Sequence, residues 1–198
     1  MVFHEEHGLK YLTLQTFDEY DVPHGFFSRR GGISPQPWAS LNVATSVGDS
    51  RDNVIENRNR IMHIFGKNYT DVFDVWQIHS DIVQSSEEPR SIGEPHKKGD
   101  AIITSNPQVA LMMVFADCVP ILLYDVKKNI GAIVHAGWQG TVKYIACRTI
   151  EKMQNEYGCD TQNILAGIGP SISVDHYEIQ NSTAEVIRES FPNGSEKI

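Results

Sequence analysis

The sequence has 198 residues, of which 40% are hydrophobic and 21% charged, and its formal net charge at pH 7 is −8. This composition is typical of a globular protein that can bury a core without disulfide bonds, and it favours a single domain over residues 1–198. The negative charge excludes a general attraction to nucleic acid or to an anionic membrane, and no apolar stretch is long enough to span a membrane. The three cysteines are no disulfide framework and indicate a cytoplasmic protein.

The N-terminal part of the chain is predicted to hold short strands around one helix. The helix carries apolar residues at helical spacing, from Val54 to Phe65, and Gly66 ends it. Before the helix, the pair Gly31-Gly32 favours a tight turn. The predicted elements are strand Leu12–Thr16, strand His24–Ser28, an ordered loop over 33–48, a helix capped by Asp49 or Ser50, strand Val72–Ile78 and strand Ile82–Gln84.

The rest of the chain is predicted to be a run of strands followed by helices. Residues 85–99 are polar and contain proline and glycine, as is typical of a surface loop. The elements after it are strands Ala101–Thr104, Ala110–Phe115, Val119–Tyr124 and Ile130–His135, helix Gly140–Tyr157, strand Asn163–Ile168 and a helix Ser182–Ser190 that ends at Phe191-Pro192. This mixture predicts an α/β fold, bordering on α+β, in which mixed β-sheets form a layered sandwich flanked by helices.

Three residues that are able to bind a metal stand at the ends of predicted apolar strands. His79 follows one strand, Cys118 lies between two others, and His135 ends a fourth. Strand ends are common positions for functional side chains, because a rigid scaffold holds them and the following loop gives access. Two imidazoles and one thiolate are typical zinc ligands, and a set of three leaves a fourth position for water, as in catalytic sites.

A structural role is the alternative for each of these residues, because single histidines and cysteines are usually hydrogen-bonded polar residues or parts of a core. Their neighbours favour a site. Asp117 would be costly in a core unless it is paired, and Pro120 interrupts the hydrogen bonding of a strand. Gly137 and Gly140 allow the backbone to approach another group closely. The ligand spacing itself matches no compact metal-binding motif.

The motifs of this sequence, taken in order, resemble those of the YfiH-like family, whose members are described both as laccase-like polyphenol oxidase domains and as purine nucleoside phosphorylases. The matching segments span nearly the whole chain and are HGFFSRRGG, SLNVATSVGDS, NVIENRNRI, WQIHSD, GDAIIT, FADCVPILLYD, GAIVHAGWQGT and AGIGPSIS. The resemblance implies that His79, Cys118 and His135 are the metal ligands. It also implies that Arg29 and Asn42 face the same cleft.

The same resemblance implies a zinc-dependent enzyme whose partners are small molecules, a nucleoside and phosphate. Such an enzyme cleaves adenosine, inosine and methylthioadenosine with phosphate, releasing the base and a ribose 1-phosphate, and it also deaminates adenosine. Arg29, Arg30 and the backbone of Gly31-Gly32 are candidate donors to the phosphate. Asp117 is the candidate carboxyl group for proton transfer. A structural carboxylate that holds a turn or orients a ligand histidine is an equal alternative.

Three features depart from the family pattern. Gln139 stands in AGWQG where the family usually has arginine, so one anion contact is lost or supplied elsewhere. After GPSIS, where cysteines are usual, the chain has Val174-Asp175-His176. The chain also ends earlier than most members. Either the form is truncated or the remainder lies outside this sequence, and in both cases we expect an uncovered sheet edge, which favours low stability or association into a homo-oligomer.

Three other functions compete with the phosphorylase interpretation. Two histidines and one cysteine also suit Cu²⁺ in a laccase-like polyphenol oxidase, although a multicopper enzyme needs more clustered histidines. A metal-free cysteine hydrolase would use Cys118 as the nucleophile and His135 as the base, and it would leave His79 without a role. A binding module would use the metal only to hold a cleft shut.

Overall fold

The computed structural model describes residues 1–191, which divide into two compact units. The first unit consists of Met1–Phe73, Glu88–Glu94 and Asn106–Val114. The second consists of Asp74–Glu87, Pro95–Ser105 and the described residues from Phe115 onward. The chain passes between the units more than once, so neither unit is one continuous segment. The prediction of a single domain stays a prediction.

Among the described residues the α-helices lie in the first and last thirds of the chain, and a run of strands separates the two groups. Within residues 1–191 the elements are β1 (Val2–Glu6), β2 (Leu9–Thr13), α1 (Gln15–Asp18), β3 (Phe26–Phe27), α2 (Arg51–Ile64), β4 (Val72–Phe73), β5 (Val83–Ser85), β6 (Ala101–Thr104), β7 (Ala110–Leu111), β8 (Val119–Asp125), β9 (Ile130–Ala136), α3 (Trp138–Val142), α4 (Ile145–Tyr157), β10 (Ile164–Ile168) and α5 (Asn181–Ser190). None of the helices in this part of the chain is long and apolar enough to cross a membrane.

The first unit combines an antiparallel sheet, in the order β1-β2-β3, with the parallel pair β4 and β7. Helix α2 buries Val54, Ile61 and Met62, which share one face because their spacing follows the helical period. The core that these elements share contains Leu9, Leu41, Ile61, Met62, Val72 and Met112.

The second unit is built on a mixed sheet with the strand order β10-β8-β9-β6-β5. The neighbouring strands are antiparallel except for β5, which lies parallel to β6 at one edge. Helix α4 packs against β5, β6 and β9. It buries Ile145, Thr149 and Met153, which lie four residues apart and therefore on one face.

The central strands of this sheet begin and end beside the predicted metal ligands. Strand β9 ends one residue after His135, and β8 begins one residue after Cys118. Because the two strands are antiparallel, the start of β8 lies beside the end of β9, and Pro120 pairs with His135. The expectation that Pro120 interrupts a strand is therefore wrong. It is the second residue of β8, and a proline near the first residue of a strand is compatible with a sheet.

The predicted α/β class, with mixed sheets and flanking helices, is confirmed. Strand Ala101–Thr104 has the predicted bounds. Predicted strands Val72–Ile78 and Ala110–Phe115 are each a strand for only two residues. Strand β1 and helix α1 were not predicted, and α1 occupies part of the predicted strand Leu12–Thr16. Runs of apolar residues therefore located the strands better than they set the strand lengths.

The predicted helix Gly140–Tyr157 is two helices, α3 and α4. Tyr144, between them, has a left-handed backbone with φ of 61°. Apolar spacing does not encode the sign of φ, and a non-glycine residue rarely adopts a positive value, so the break was not predictable from the pattern. The predicted C-terminal helix is α5, and Pro192, expected just after its end, lies outside the described residues.

The three cysteines are free thiols in different surroundings. Cys118 is half-buried, Cys147 is exposed on α4, and Cys159 is buried. Burial, together with a hydrogen bond to Asp125, raises the pKa of Cys159 to about 11. Cys159 is part of the hydrophobic core, and a thiol with so high a pKa is a poor nucleophile at neutral pH.

Candidate metal centre

The donor atoms of His79, Cys118 and His135 come together in the second unit. They lie within 4.8 Å of one another, and Cys118 Sγ is 3.8 Å from His79 Nε2. Among residues 1–191, this is the one group of three or more His, Cys, Asp or Glu side chains that is close enough to hold a metal ion. Zinc bond lengths place tetrahedral donor atoms about 3.3–3.6 Å apart. Small side-chain rotations would therefore bring this set to the spacing of a zinc site.

Each of the three residues is held by a different local structure. His135 lies in β9 and is 4% exposed. Cys118 is half-buried at the bend before β8. His79 is exposed on a bend, and its φ of 57° lies in the left-handed region. A non-glycine residue keeps such a conformation only when its surroundings hold it there. The cluster thus has one buried member and one member that is open to solvent.

The carboxylate of Asp100 fixes the orientation of the buried histidine. Asp100 is fully buried, and its Oδ1 lies 2.9 Å from Nδ1 of His135. Burial acts to raise the pKa of Asp100, but hydrogen bonds from His135 and Ser80 outweigh it and hold that pKa well below its usual range. The ionised carboxylate therefore accepts the Nδ1 proton, which leaves the Nε2 lone pair of His135 free to bind a metal.

Gly137 approaches two of the candidate ligands so closely that a side chain there would displace them. A Cβ at this position would lie 2.9 Å from Cδ2 of His79 and 3.0 Å from Sγ of Cys118. At Gly140, a Cβ would lie 3.1 Å from the carbonyl oxygen of Ser80. The prediction that these glycines permit a close approach is confirmed, and at Gly137 the groups approached are the candidate ligands themselves.

The surroundings of Cys118 favour a metal ligand over a metal-free nucleophile. Burial and the negative charges of Asp117 and Asp100 raise the pKa of the Cys118 thiol. Without a nearby cation, the thiol is therefore neutral and weakly nucleophilic. A bound metal cation has the opposite effect, because a coordinating thiol is deprotonated.

Asp117 is exposed, so no cost of burial applies to it, and the expectation of a paired carboxylate in the core at this position is wrong. Its backbone carbonyl accepts a hydrogen bond from the N–H of Ile172 at 3.0 Å. The carboxylate that is bonded to a candidate ligand histidine is Asp100. Proton transfer by Asp117 stays a prediction.

Arg29 and Asn42 belong to the first unit, where both side chains bind loop backbone. Nε and Nη2 of Arg29 donate to the carbonyl of Ala39, at 3.1 and 2.7 Å. Asn42 donates to the carbonyl of Ala44 and to Oδ2 of Asp49, and its own Oδ1 accepts from the N–H of Ala44. These bonds stabilise the loop, and a role of either residue in catalysis stays a prediction.

The backbone of Gly31 and Gly32 is already engaged and cannot serve as a phosphate cradle. Both N–H groups donate to Oγ of Ser40, at 3.1 and 3.2 Å. A Cβ at Gly31 would overlap the backbone of Gly8, and one at Gly32 would overlap the backbone of Ser40. The two glycines permit close backbone packing, so the prediction that they bind phosphate is wrong.

Two further positions named from the sequence lie outside the cluster. Gln139 is exposed on α3, and His176 is exposed in a short 3-10 turn, Val174–His176. The metal-competent group within the described residues includes neither of them.

Sequence reasoning missed Asp100, although a signal was present. Asp100 directly precedes the strand Ala101–Thr104, in which every residue is buried. A carboxylate beside a fully buried strand needs hydrogen-bond donors, because an unpaired charge is costly to bury. The requirement holds for the buried Asp100 and not for the exposed Asp117.

Comparison with known proteins assigns the family. The family described as "Multi-copper polyphenol oxidoreductase laccase" matches residues 23–197, and the chain belongs to it. The YfiH-like resemblance is confirmed. The solved structure of Bacillus licheniformis hypothetical protein YfiH aligns with a TM-score of 0.88 and 27% identity, over 98% of this chain and 74% of that chain.

Relatives of known description carry a more specific name. The chain is 36% identical, over 84% of its length, to a purine nucleoside phosphorylase of Corynebacterium glutamicum. It is 34% identical, over 85% of its length, to the purine nucleoside phosphorylase YlmD of Bacillus subtilis. The matches cover 68% of the first relative and 63% of the second, so the chain spans about two thirds of their length.

Proposed function

We propose that this protein is a zinc-dependent purine nucleoside phosphorylase that also deaminates adenosine. The observation that carries the proposal is the convergence of His79, Cys118 and His135 on one point, in a chain whose relatives bear the phosphorylase name. The proposed substrates are adenosine, inosine and methylthioadenosine, with inorganic phosphate as the second substrate.

The residues of the cluster suit this chemistry. A bound zinc ion would supply Lewis-acid activation of the base or of a water molecule. Three protein donors leave a further coordination position, and the exposure of His79 keeps that side of the cluster accessible. Asp100 keeps Nδ1 of His135 protonated and the ring fixed, so that Nε2 remains a ligand.

Proton transfer is the second requirement of the reaction. In phosphorolysis, a phosphate oxygen attacks C1′ of the ribose and the base leaves with the electron pair of the glycosidic bond, so a proton must reach the base. We assign that proton to Asp117, an exposed carboxyl group that directly precedes Cys118. Arg29 and Asn42 enter the proposal from the family resemblance, as residues that act in the reaction.

The test is phosphate-dependent cleavage of each nucleoside by the wild type, Cys118→Ala and Cys147→Ala, with zinc measured on all three proteins. Removing a ligand should abolish stoichiometric zinc and lower phosphorolysis by at least about 100-fold, because the remaining two donors hold zinc poorly. Cys147 is an exposed thiol on α4 and is the matched control, so its variant should retain both properties. Equal zinc content and activity in wild type and Cys118→Ala would remove the proposal.

The family description favours a second candidate, a copper-dependent polyphenol oxidase. Two histidines and a cysteine suit copper. Multicopper oxidation needs further metal groups, and the part of the chain that the structure describes contains one such cluster. We expect copper-loaded protein to oxidise catechol far more slowly than zinc-loaded protein cleaves nucleosides. Oxygen consumption measures the rate of catechol oxidation. The reverse order of rates would favour the oxidase.

We also propose a cytoplasmic location and self-association. The three free thiols support the cytoplasmic location, because they suit a reducing compartment.

Strand β10 supports self-association. It is an edge of the sheet and carries no charged residue or proline, and such edges pair readily with other chains. Light scattering coupled to gel filtration measures the oligomeric state, and a monomer at all concentrations would remove the second proposal.

A further inference from the structure

Asp100 contacts both histidines of the metal cluster. We infer that Asp100 is a positioning residue that couples His79 to His135, so that its carboxylate sets the metal affinity of the cluster. This inference rests on the metal site of the proposed function. It goes beyond that function because it concerns a residue outside the candidate ligand set.

The first half of the coupling is a pair of hydrogen bonds between Asp100 and His135. The ring is bound through Nδ1, 2.9 Å from Oδ1 of Asp100. The backbone of His135 is bound as well, because its N–H donates to the carbonyl of Asp100 at 2.7 Å. The neighbouring pair Ala101 and Val134 continues the same antiparallel ladder between β6 and β9. The position of His135 relative to Asp100 is therefore set at both the ring and the main chain.

The second half is the bend that carries His79. Three successive backbone N–H groups donate to the carboxylate of Asp100, from Ile78 at 3.2 Å, His79 at 2.9 Å and Ser80 at 2.6 Å. The hydroxyl of Ser80 adds a fourth bond, 2.7 Å long. These bonds hold the bend in which His79 has its left-handed φ of 57°. Without them, the bend would relax toward a more favourable conformation and carry the His79 ring away.

One oxygen atom joins the two halves. Oδ1 of Asp100 accepts from the ring of His135 and from the backbone N–H of His79. Asp100 is fully buried, so water cannot replace a lost acceptor. In Asp100→Asn, an NH₂ group would face some of the same donors, and either the His135 ring or the His79 bend would lose its partner. At least one of the two histidines should therefore become less well placed.

A general loss of stability is the competing explanation, and Asp125 provides the matched control. It is also a fully buried aspartate of the second unit, and its Oδ1 accepts from the backbone N–H groups of Lys127 and Lys128. Those bonds hold the turn between β8 and β9, at the opposite end of these strands from Cys118 and His135. Asp125→Asn therefore disturbs a buried carboxylate without touching the cluster.

The experiment compares zinc affinity, measured by chelator competition, and the visible spectrum of cobalt-substituted protein in wild type, Asp100→Asn and Asp125→Asn. Asp100→Asn should weaken zinc binding about 10- to 100-fold and alter the cobalt bands, as loss of a carboxylate behind a ligand histidine does. Asp125→Asn should bind zinc within about twofold of wild type, since it leaves the ligands in place. Unchanged affinity and bands in Asp100→Asn, or equal weakening in Asp125→Asn, would overturn the inference.

A measurement on the wild type keeps the inference testable if Asp100→Asn does not fold. Nitrogen NMR of the histidine rings in the metal-free protein should show His135 protonated at Nδ1, and protonation at Nε2 would contradict the inference.

Failure of the proposed function gives a different set of results from failure of the inference about Asp100. Wild type that binds zinc but does not cleave nucleosides rejects the phosphorylase and leaves the role of Asp100 to the affinity comparison. Wild type that binds no zinc rejects both the zinc enzyme and the inference, because no affinity is left for Asp100 to set.

Discussion

The loop before α2 and the cluster beside β8 and β9 are both rich in glycine and polar residues, but they use these residues differently. In the loop, polar groups bond to one another: Ser34 donates to Asp49, and Asn57 donates to Ser34 and to the carbonyls of Ser40 and Asn42. In the cluster, the three metal-competent side chains face each other.

This difference shows how a structural network is distinguished from a candidate site. Both segments belong to family motifs, so a motif alone does not separate them. What separates them is whether strong donor and acceptor atoms already have partners. In the loop, the hydroxyl oxygen of Ser40 accepts hydrogen bonds from the N–H groups of Gly31 and Gly32. In the cluster, Asp100 bonds one nitrogen of His135 and leaves the other for a ligand.

The largest expected effect comes from Gly137→Ala, which tests whether the cluster needs its close packing. The added methyl group would collide with His79 and Cys118, so zinc affinity should fall by about 10- to 100-fold or more. The control is Gly131→Ala in β9, where a Cβ would meet only Tyr124, at 3.9 Å. Chelator competition measures both. If Gly137→Ala binds zinc as well as Gly131→Ala does, the cluster does not act as a packed site.

An intermediate effect is expected from Asn57→Ala, which should break the loop and spare the cluster. Asn57 is fully buried, and its loss leaves several loop groups without a partner. The free energy of unfolding should fall by about 2–3 kcal/mol, the cost of unsatisfied buried polar groups. Asn53→Ala, which loses a single described bond to Asp49, should cost about 1 kcal/mol or less. Urea unfolding gives both values. A loss of zinc affinity in folded Asn57→Ala would contradict a purely structural role of the loop network.

The smallest effect concerns acid stability of the loop. Hydrogen bonds from Asn42 and Ser34 lower the pKa of Asp49 from 3.8 to about 2. Because the folded-state pKa is depressed, the stabilisation by Asp49 is fully present above pH 4 or so and is lost as the pH falls toward about 2. The stability difference between wild type and Asp49→Asn should therefore shrink across this window, as measured by urea unfolding at a series of pH values. If the stabilities of wild type and Asp49→Asn instead fall in parallel with pH, the hydrogen bonds from Asn42 and Ser34 do not lower the pKa of Asp49.

Local patterns in the sequence determined a large part of the fold. Apolar spacing located α2, the alternation of short apolar runs located β6, β8 and β9, and the mixture of elements indicated the α/β class. The same patterns identified the strand ends at which Cys118 and His135 stand, whereas the expectation that His79 ends a strand is wrong, because β4 ends at Phe73 and His79 lies on a later bend. These features are readable because periodicity and turn residues act over a few neighbouring positions.

Tertiary structure alone decided which polar groups meet. It brought Asp100 to His135, which lies 35 residues further along the chain, and placed Asp117 in solvent instead. It also joined Ser40 to Gly31 and Gly32, and so removed them as phosphate donors. The physical reason is that a hydrogen bond between distant residues depends on sheet register and backbone conformation, such as the left-handed His79, which no local pattern encodes.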